Sequence, residues 1–213
     1  MSGLRPYTIR SNDRVFIVGK TSSGKSYAAQ RLIWEELSDV VYYDMTGEEC
    51  SKLAAPVLTE INQVERALYS EGEDHLTKFV YSPEVPTLDG FERLCELVYG
   101  HRNLHLIADE LMQVYREGNS VRPTTDDHLK ILTNGRKVGV GMTGATQRPV
   151  NVPLETISES EHILTFRLKL PKDCDRMADV CGPTVADADD LERHHYYYDH
   201  DLMNSPDRCS PLQ

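Results

Sequence analysis

Residues 19–26, Gly19-Lys20-Thr21-Ser22-Ser23-Gly24-Lys25-Ser26, follow the pattern G-x-x-x-x-G-K-[ST] without a mismatch. That spacing suits a chain of phosphates, because a glycine-bearing turn aims successive backbone N–H groups at phosphate oxygens and the helix behind it adds the positive end of its dipole. Lys25 is expected to reach the β and γ phosphates and the Ser26 hydroxyl to ligate Mg²⁺. Lys20 is an additional cation within the loop, placed to meet a phosphate, a neighbouring subunit or solvent.

A second constellation is Asp109-Glu110, which ends the apolar run Leu104-His105-Leu106-Ile107-Ala108. Carboxylates at the C-terminal edge of a strand are where ligands sit in α/β proteins. Asp109 is expected to hold the Mg²⁺ shell, and Glu110 to orient and deprotonate an attacking water. An acid next to the metal aspartate favours hydrolysis of ATP by water.

These residues need a strand–turn–helix frame, and the sequence supplies one. Arg14-Val15-Phe16-Ile17-Val18 is a short apolar run ending at Gly19, and residues 25–37 carry Ala28, Ala29, Leu32, Ile33 and Leu37 at helical spacing. A second run, Val40-Val41-Tyr42-Tyr43, follows almost at once, as in a parallel sheet with crossover helices. The fold class is α/β. Residues 46–78 read as an inserted, acidic helical segment, one amphipathic helix interrupted near Pro56. Further strands are expected at 78–81, 103–108 and 162–168, with helices at 91–99, 126–136 and 172–180. Residues 138–146 are β-like but glycine-rich, so backbone or ligand approaches closely there. Residues 194–198 read as a last extended piece. The pair His194-His195 is strand and surface rather than a metal site, since adjacent strand residues face opposite ways.

The chain has 213 residues with 23 Lys+Arg and 34 Asp+Glu, a net charge of -11. That length suits a single ATPase domain over 1–202 with a flexible tail at 203–213, and residues 1–13 leave no room for an N-terminal domain. No stretch approaches the roughly 18 apolar residues of a membrane span, so direct membrane insertion is not expected. The charge is uneven: residues 37–100 carry -9 and 151–213 carry -7, whereas 1–36 and 101–150 carry +3 and +2. So acidic a chain is a poor candidate for coating nucleic acid by bulk charge, and any polyanion contact must be local. Five scattered cysteines, with no C-x-x-C pair, fit reduced thiols.

The segment Asn134-Gly135-Arg136-Lys137-Val138-Gly139-Val140-Gly141, followed by Ala145-Thr146-Gln147-Arg148-Pro149, resembles the FtsK/HerA superfamily of DNA-pumping ATPases. His162-Ile163-Leu164-Thr165-Phe166-Arg167-Leu168 and the short helix ending at Cys181-Gly182 extend the resemblance, which runs from about Arg14 to Gly182. The architecture is most similar to the minimal viral genome-packaging ATPases. The resemblance implies a RecA-like (additional-strand) P-loop NTPase fold, a mostly parallel sheet flanked by helices. It also implies a homo-oligomeric ring, a pentamer or hexamer, that threads double-stranded DNA into a preformed capsid. Capsid vertex proteins would be partners, and the host cytoplasm or the virion's packaging vertex the location.

Carried over by position, Arg136 becomes the candidate arginine finger acting on a neighbour's γ-phosphate, with Lys137 as runner-up. Gln147, at the tip of a strand expected between the phosphate-loop strand and the Asp109 strand, becomes the polar sensor, a role Thr146 could share. Arg148 would reach across to a neighbour. The loop from Tyr115 to Pro123 presents Arg116 and Arg122 as DNA contacts in the ring's pore. Rival readings are a conjugation- or chromosome-type DNA translocase, a phage assembly or export ATPase, a small-molecule kinase, and a nucleotide-dependent assembly factor.

Overall fold

Short β-branched and aromatic runs, each followed by a turn and then by helical apolar spacing, make the chain alternate between strands and helices. The computed structural model describes residues 8–212. β1 (Arg14–Val18) leads into α1 (Lys25–Ala29), which continues as a π-helical turn over Gln30–Trp34 before β2 (Val40–Asp44). Next come β3 (Val57–Leu58), α2 (Ile61–Tyr69), β4 (Lys78–Tyr81), α3 (Leu88–His101) and β5 (His105–Asp109). The middle holds α4 (Met112–Tyr115), the hairpin strands β6 (Arg116–Glu117) and β7 (Ser120–Val121), α5 (Asp126–Asn134) and β8 (Gly141–Thr146). Then follow α6 (Leu154–Ser158), β9 (His162–Phe166), α7 (Pro171–Cys181), β10 (Tyr196–His200) and β11 (Asp207–Cys209).

Among the described residues nine strands form one sheet in the order β11-β10-β9-β1-β8-β5-β2-β4-β3. From β9 to β3 every neighbouring pair is parallel, while β10 and β11 return antiparallel. The mostly parallel sheet flanked by helices is the architecture expected, and β8 occupies the expected place between β1 and β5. Successive residues of β1 serve opposite faces: Val15 and Ile17 pack with Ala28, Ile33 and Trp34, whereas Phe16 and Val18 pack with Phe91 and Leu94 of α3. Burial on both faces is why these strands read as continuous apolar runs rather than alternating ones. No helix among the described residues is long and apolar enough to cross a membrane.

Four segments differ from expectation for identifiable reasons. The helix after the phosphate loop widens at Gln30–Trp34, where the Glu35 N–H donates to the Gln30 carbonyl five residues back. That widening lets three consecutive side chains, Leu32, Ile33 and Trp34, all bury. Residues 46–60 are turns and a short strand instead of helix, with α2 alone helical, because the Asp44 carboxylate accepts the backbone N–H groups of Thr46, Gly47, Glu49 and Cys50. An acceptor held there competes with helical pairing, and Pro56 then favours extended chain. α5 stops at Asn134 and tightens into a 3₁₀ turn over Gly135–Val138, so β8 starts only at Gly141. Finally, the segment from 203 onward, expected as a loose tail, carries β11, hydrogen-bonded to β10.

Two fully buried histidines mark the core. His105 donates from Nδ1 to the Ser11 carbonyl at 2.9 Å and accepts from the Thr143 hydroxyl at 2.8 Å. His128 bonds the Tyr115 hydroxyl at 2.5 Å and meets the edge of Phe91. Burial pushes His105 down from 6.5 to about 4 and His128 down to about 3. Because the folded state disfavours their protonation, their stabilising contribution is complete above the ordinary histidine value. It is lost as pH falls from there towards the folded values. Replacing His128→Phe keeps an aromatic ring against Phe91 and removes one titration. Relative to wild type, the variant should gain about 2 kcal/mol between about pH 7 and about pH 4.5, read from urea unfolding at each pH. A difference that does not change with pH would remove this account.

Candidate active site

The phosphate loop leaves the C-terminal end of β1 and is pinned on both flanks. The Gly19 N–H donates to the Thr146 carbonyl of β8 at 3.3 Å, and the Lys20 N–H to the Arg167 carbonyl just past β9 at 2.8 Å. Gly24, with φ of 116°, turns the chain into α1 through a left-handed conformation that a side chain would strain. Lys25 is 7% exposed and folds back across the loop, its Nζ donating to the Lys20 carbonyl at 3.3 Å. Burial lowers its pKa, against the attraction of Glu110 and Asp109. The Ser23 hydroxyl is buried without a partner at the base of the same loop. A buried lysine, an orphaned hydroxyl and a helix N-terminus converging on one turn fit an anion.

Asp109 closes β5 and Glu110 follows it, both about 5% exposed. Glu110 sits at φ 56°, in the left-handed region that is costly for a non-glycine residue. That turn swings its carboxylate toward the end of β8, where Oε1 accepts from the Thr146 hydroxyl at 3.1 Å and from the Gln147 N–H at 2.9 Å. The Gln147 side chain in turn accepts from the Thr21 hydroxyl at 2.8 Å. The phosphate loop, Gln147 and Glu110 are thus joined by direct hydrogen bonds across three chain segments. Burial, reinforced by the neighbouring Glu110, pushes Asp109 up to about 6 despite Lys25. The hydroxyl of Ser26 and the carboxylate of Asp109 are the hard oxygen donors that suit Mg²⁺.

Two residues near this centre carried no motif. The Tyr42 hydroxyl approaches Asp109 Oδ2 at 3.5 Å, and buried Glu49 raises the Asp109 pKa further. The available signal was the run Val40-Val41-Tyr42-Tyr43-Asp44, a second buried strand ending in a carboxylate, and Asp44 stands in register with Asp109.

The remaining candidates lie elsewhere. Arg136 pairs with Asp13 at 2.9 Å and Glu161 at 3.5 Å, at the N-terminal end of β1. One strand length, about 17 Å for five residues, separates that edge from the phosphate loop of the same chain. The Lys137 ammonium donates to the Asn134 side chain, and Arg148 pairs with buried Asp173 at 2.7 Å. Arg116 and Arg122 sit on the exposed hairpin β6–β7, where Arg122 pairs with Glu117 at 3.1 Å. The hairpin follows β5 and α4, on the phosphate-loop side of the sheet.

No protein-family model and no curated protein matches the chain. Solved structures do. The genome packaging NTPase B204 of Sulfolobus turreted icosahedral virus 2, in complex with ATP-gammaS, superposes with a TM-score of 0.78 at 18% identity, covering 96% of this chain and 100% of that one. B204 of Sulfolobus Turreted Icosahedral Virus, a DNA-packaging ATPase, gives 0.75 at 20% identity over 96% and 100%. The bacterial conjugative coupling protein TrwB gives 0.66 at 11% identity over 95% and 85%. The fold of this chain is that of a RecA-like P-loop NTPase, a mostly parallel sheet flanked by helices.

If Glu110 takes the proton from water, Glu110→Gln keeps both hydrogen-bond acceptance from Gln147 and the shape of the site but removes the base. Phosphate release from ATP should drop by about 10² to 10⁴ while ATP affinity, measured by equilibrium binding, stays within about threefold. Hydrolysis that survives the change assigns the base elsewhere.

Proposed function

We propose that the chain is an ATP-hydrolysing motor that drives double-stranded DNA into a preformed viral capsid, working as a ring of identical subunits. The observation that carries this reading is the joined set Thr21–Gln147–Glu110 on a fold that superposes end to end on virus packaging NTPases. In the mechanism it supports, loop N–H groups and Lys25 hold the phosphates of ATP. Ser26 and Asp109 would hold Mg²⁺, which when bound neutralises charge on the phosphate oxygens. Glu110 accepts a proton from water as the water oxygen attacks the γ-phosphorus, the bond to the bridging oxygen breaks, and ADP leaves with that electron pair. Gln147 then exchanges between the γ-phosphate and Thr21, which reports nucleotide state to the loop.

Arg136 cannot serve its own site from the opposite sheet edge, so its role is in trans, on a neighbour's γ-phosphate. In a lone subunit Asp13 and Glu161 hold it. The hairpin bearing Arg116 and Arg122 gives each subunit a small cationic tip, and a ring multiplies such contacts despite the acidic total charge. The motor would work at the capsid vertex, in contact with vertex proteins. Superposition on TrwB supports a second cargo arrangement, a conjugation-type DNA translocase.

The test is ATP hydrolysis with and without linear duplex DNA across protein concentration, for wild type and Arg136→Ala. DNA and concentration should both raise the rate, and Arg136→Ala should lower the stimulated rate by about 10³. Activity indifferent to DNA and concentration would sink the motor and leave a kinase or an assembly factor. Packaging into purified empty capsids distinguishes the viral cargo from the conjugative one.

A further inference from the structure

β8 ends at Thr146, in register with Val18 of β1, and the chain then leaves the sheet. The peptide Thr146-Gln147-Arg148 that follows is held at three points. The Thr146 hydroxyl and the Gln147 N–H donate to Glu110 Oε1, and the Gln147 side chain accepts from Thr21. The third hold points the other way. Arg148 is extended, so its side chain is turned away from that of Gln147, and its Nε donates to Asp173 Oδ2 at 2.7 Å.

Asp173 is a fixed anchor. Its side chain is 1% exposed, and its N–H donates to the Leu170 carbonyl at 3.0 Å in the first turn of α7. That helix buries Cys174, Met177 and Cys181 in the main core, so its first turn is set by packing. Burial raises the Asp173 pKa, and Arg148 and the Val150 N–H act against it. Both partners belong to the peptide that follows Gln147, so one carboxylate grips that peptide on either side of Pro149. The other two holds are drawn on at each turnover, since Glu110 must engage the attacking water and Gln147 the γ-phosphate. The bond from Arg148 to Asp173 faces away from both and can persist throughout.

We propose that Asp173 is a positioning residue for ATP hydrolysis, which acts through Arg148 to keep the peptide bearing Gln147 in place while Glu110 and Thr21 exchange partners. The proposal rests on the roles of Glu110 and Gln147 argued above and names what keeps the two in register. Register of this kind matters to rate more than to affinity. A misplacement of about 1 Å at a group that orients the reactants costs on the order of 10²-fold in turnover. The phosphates, by contrast, are held by the loop and Lys25, to which Arg148 and Asp173 contribute nothing directly.

The test is kcat at saturating ATP, with ATP affinity and the number of ATP sites per chain from equilibrium binding, for the full chain as wild type, Asp173→Ala, Arg148→Ala and the double variant. Each single variant should lower kcat by about 10 to 10²-fold and leave affinity within about threefold. The double variant should be no slower than the slower single one, because residues that act as a unit are lost together. Loss of folded protein would instead lower the number of ATP sites along with the rate. Where Asp173→Ala does not fold, the split between kcat and affinity in Arg148→Ala, at a partly exposed side chain, decides alone. Losses that multiply in the double variant, or a rate that falls only as sites are lost, overturn the proposal. Turnover intact in both single variants, in a wild type whose hydrolysis depends on Glu110, overturns the positioning only. A wild type without hydrolysis, or hydrolysis that survives Glu110→Gln, overturns the roles given to the site and the positioning with them.

Discussion

The insertion of β8 between β1 and β5 is the constraint on which the site depends. It sets Thr146 and Gln147 between the phosphate loop and Asp109-Glu110, so that one short peptide can bond to both. The fit requires small residues: a β-carbon on Gly144 would come within 2.7 Å of Leu111 and 3.4 Å of Thr156. The glycine-rich character of this strand is thus a packing requirement, and without it the carboxylate edge and the phosphate edge would part. A parallel sheet makes such convergence natural, since all its central strands deliver their C-terminal ends to one side.

Convergence has an electrostatic cost. Lys25, Asp109, Glu110 and Glu49 are all nearly excluded from water, and their charges do not cancel. Burial acts in opposite directions on the two signs, lowering the pKa of Lys25 and raising that of Asp109, so it disfavours the charged form of both. The strained backbone at Glu110 belongs to the same arrangement, since a relaxed φ would point the carboxylate away from Gln147. A divalent cation would offset the burial cost at the carboxylates and a phosphate the cost at Lys25, each acting on its own partner.

Legibility in the sequence followed the range of the interactions. The phosphate loop was readable because its eight residues act as one local turn, and Asp109-Glu110 because an apolar run announced them. Gln147 was singled out only through the family resemblance, which supplied the expected place of its strand between the phosphate-loop strand and the Asp109 strand. The turn after β2 was not readable as such: residues 46–60 carry helical apolar spacing, and the competing acceptor, Asp44, is a side chain whose burial and aim depend on β4 and β5. The ion pair of Arg136 with Asp13 spans 123 residues, and that of Arg148 with Asp173 spans 25. No spacing rule reaches across such separations. β11 was missed for a related reason, because a polar edge strand lacks the continuous apolar run that marks central ones.

The two edges of the sheet divide the labour. One carries the phosphate loop and the carboxylates, and the other carries a buried charge network in which Asp13 accepts from the Arg10 N–H, from Arg136 and from His162. Burial works against ionisation of Asp13, and these bonds overcome it, so its pKa is held well below the usual carboxylate range. Asp13 thereby stays charged and keeps hold of Arg136, whose side chain is nonetheless 54% exposed. An exposed guanidinium held by a fixed anion is presented at the surface in a defined direction. The rigid β1 strand then links that presentation to the phosphate loop at its far end. Any neighbour that draws Arg136 away from Asp13 leaves a buried carboxylate short of a partner at the foot of the same strand. Any coupling between a contact at the foot of β1 and the phosphate loop at its far end would have to pass along this buried strand.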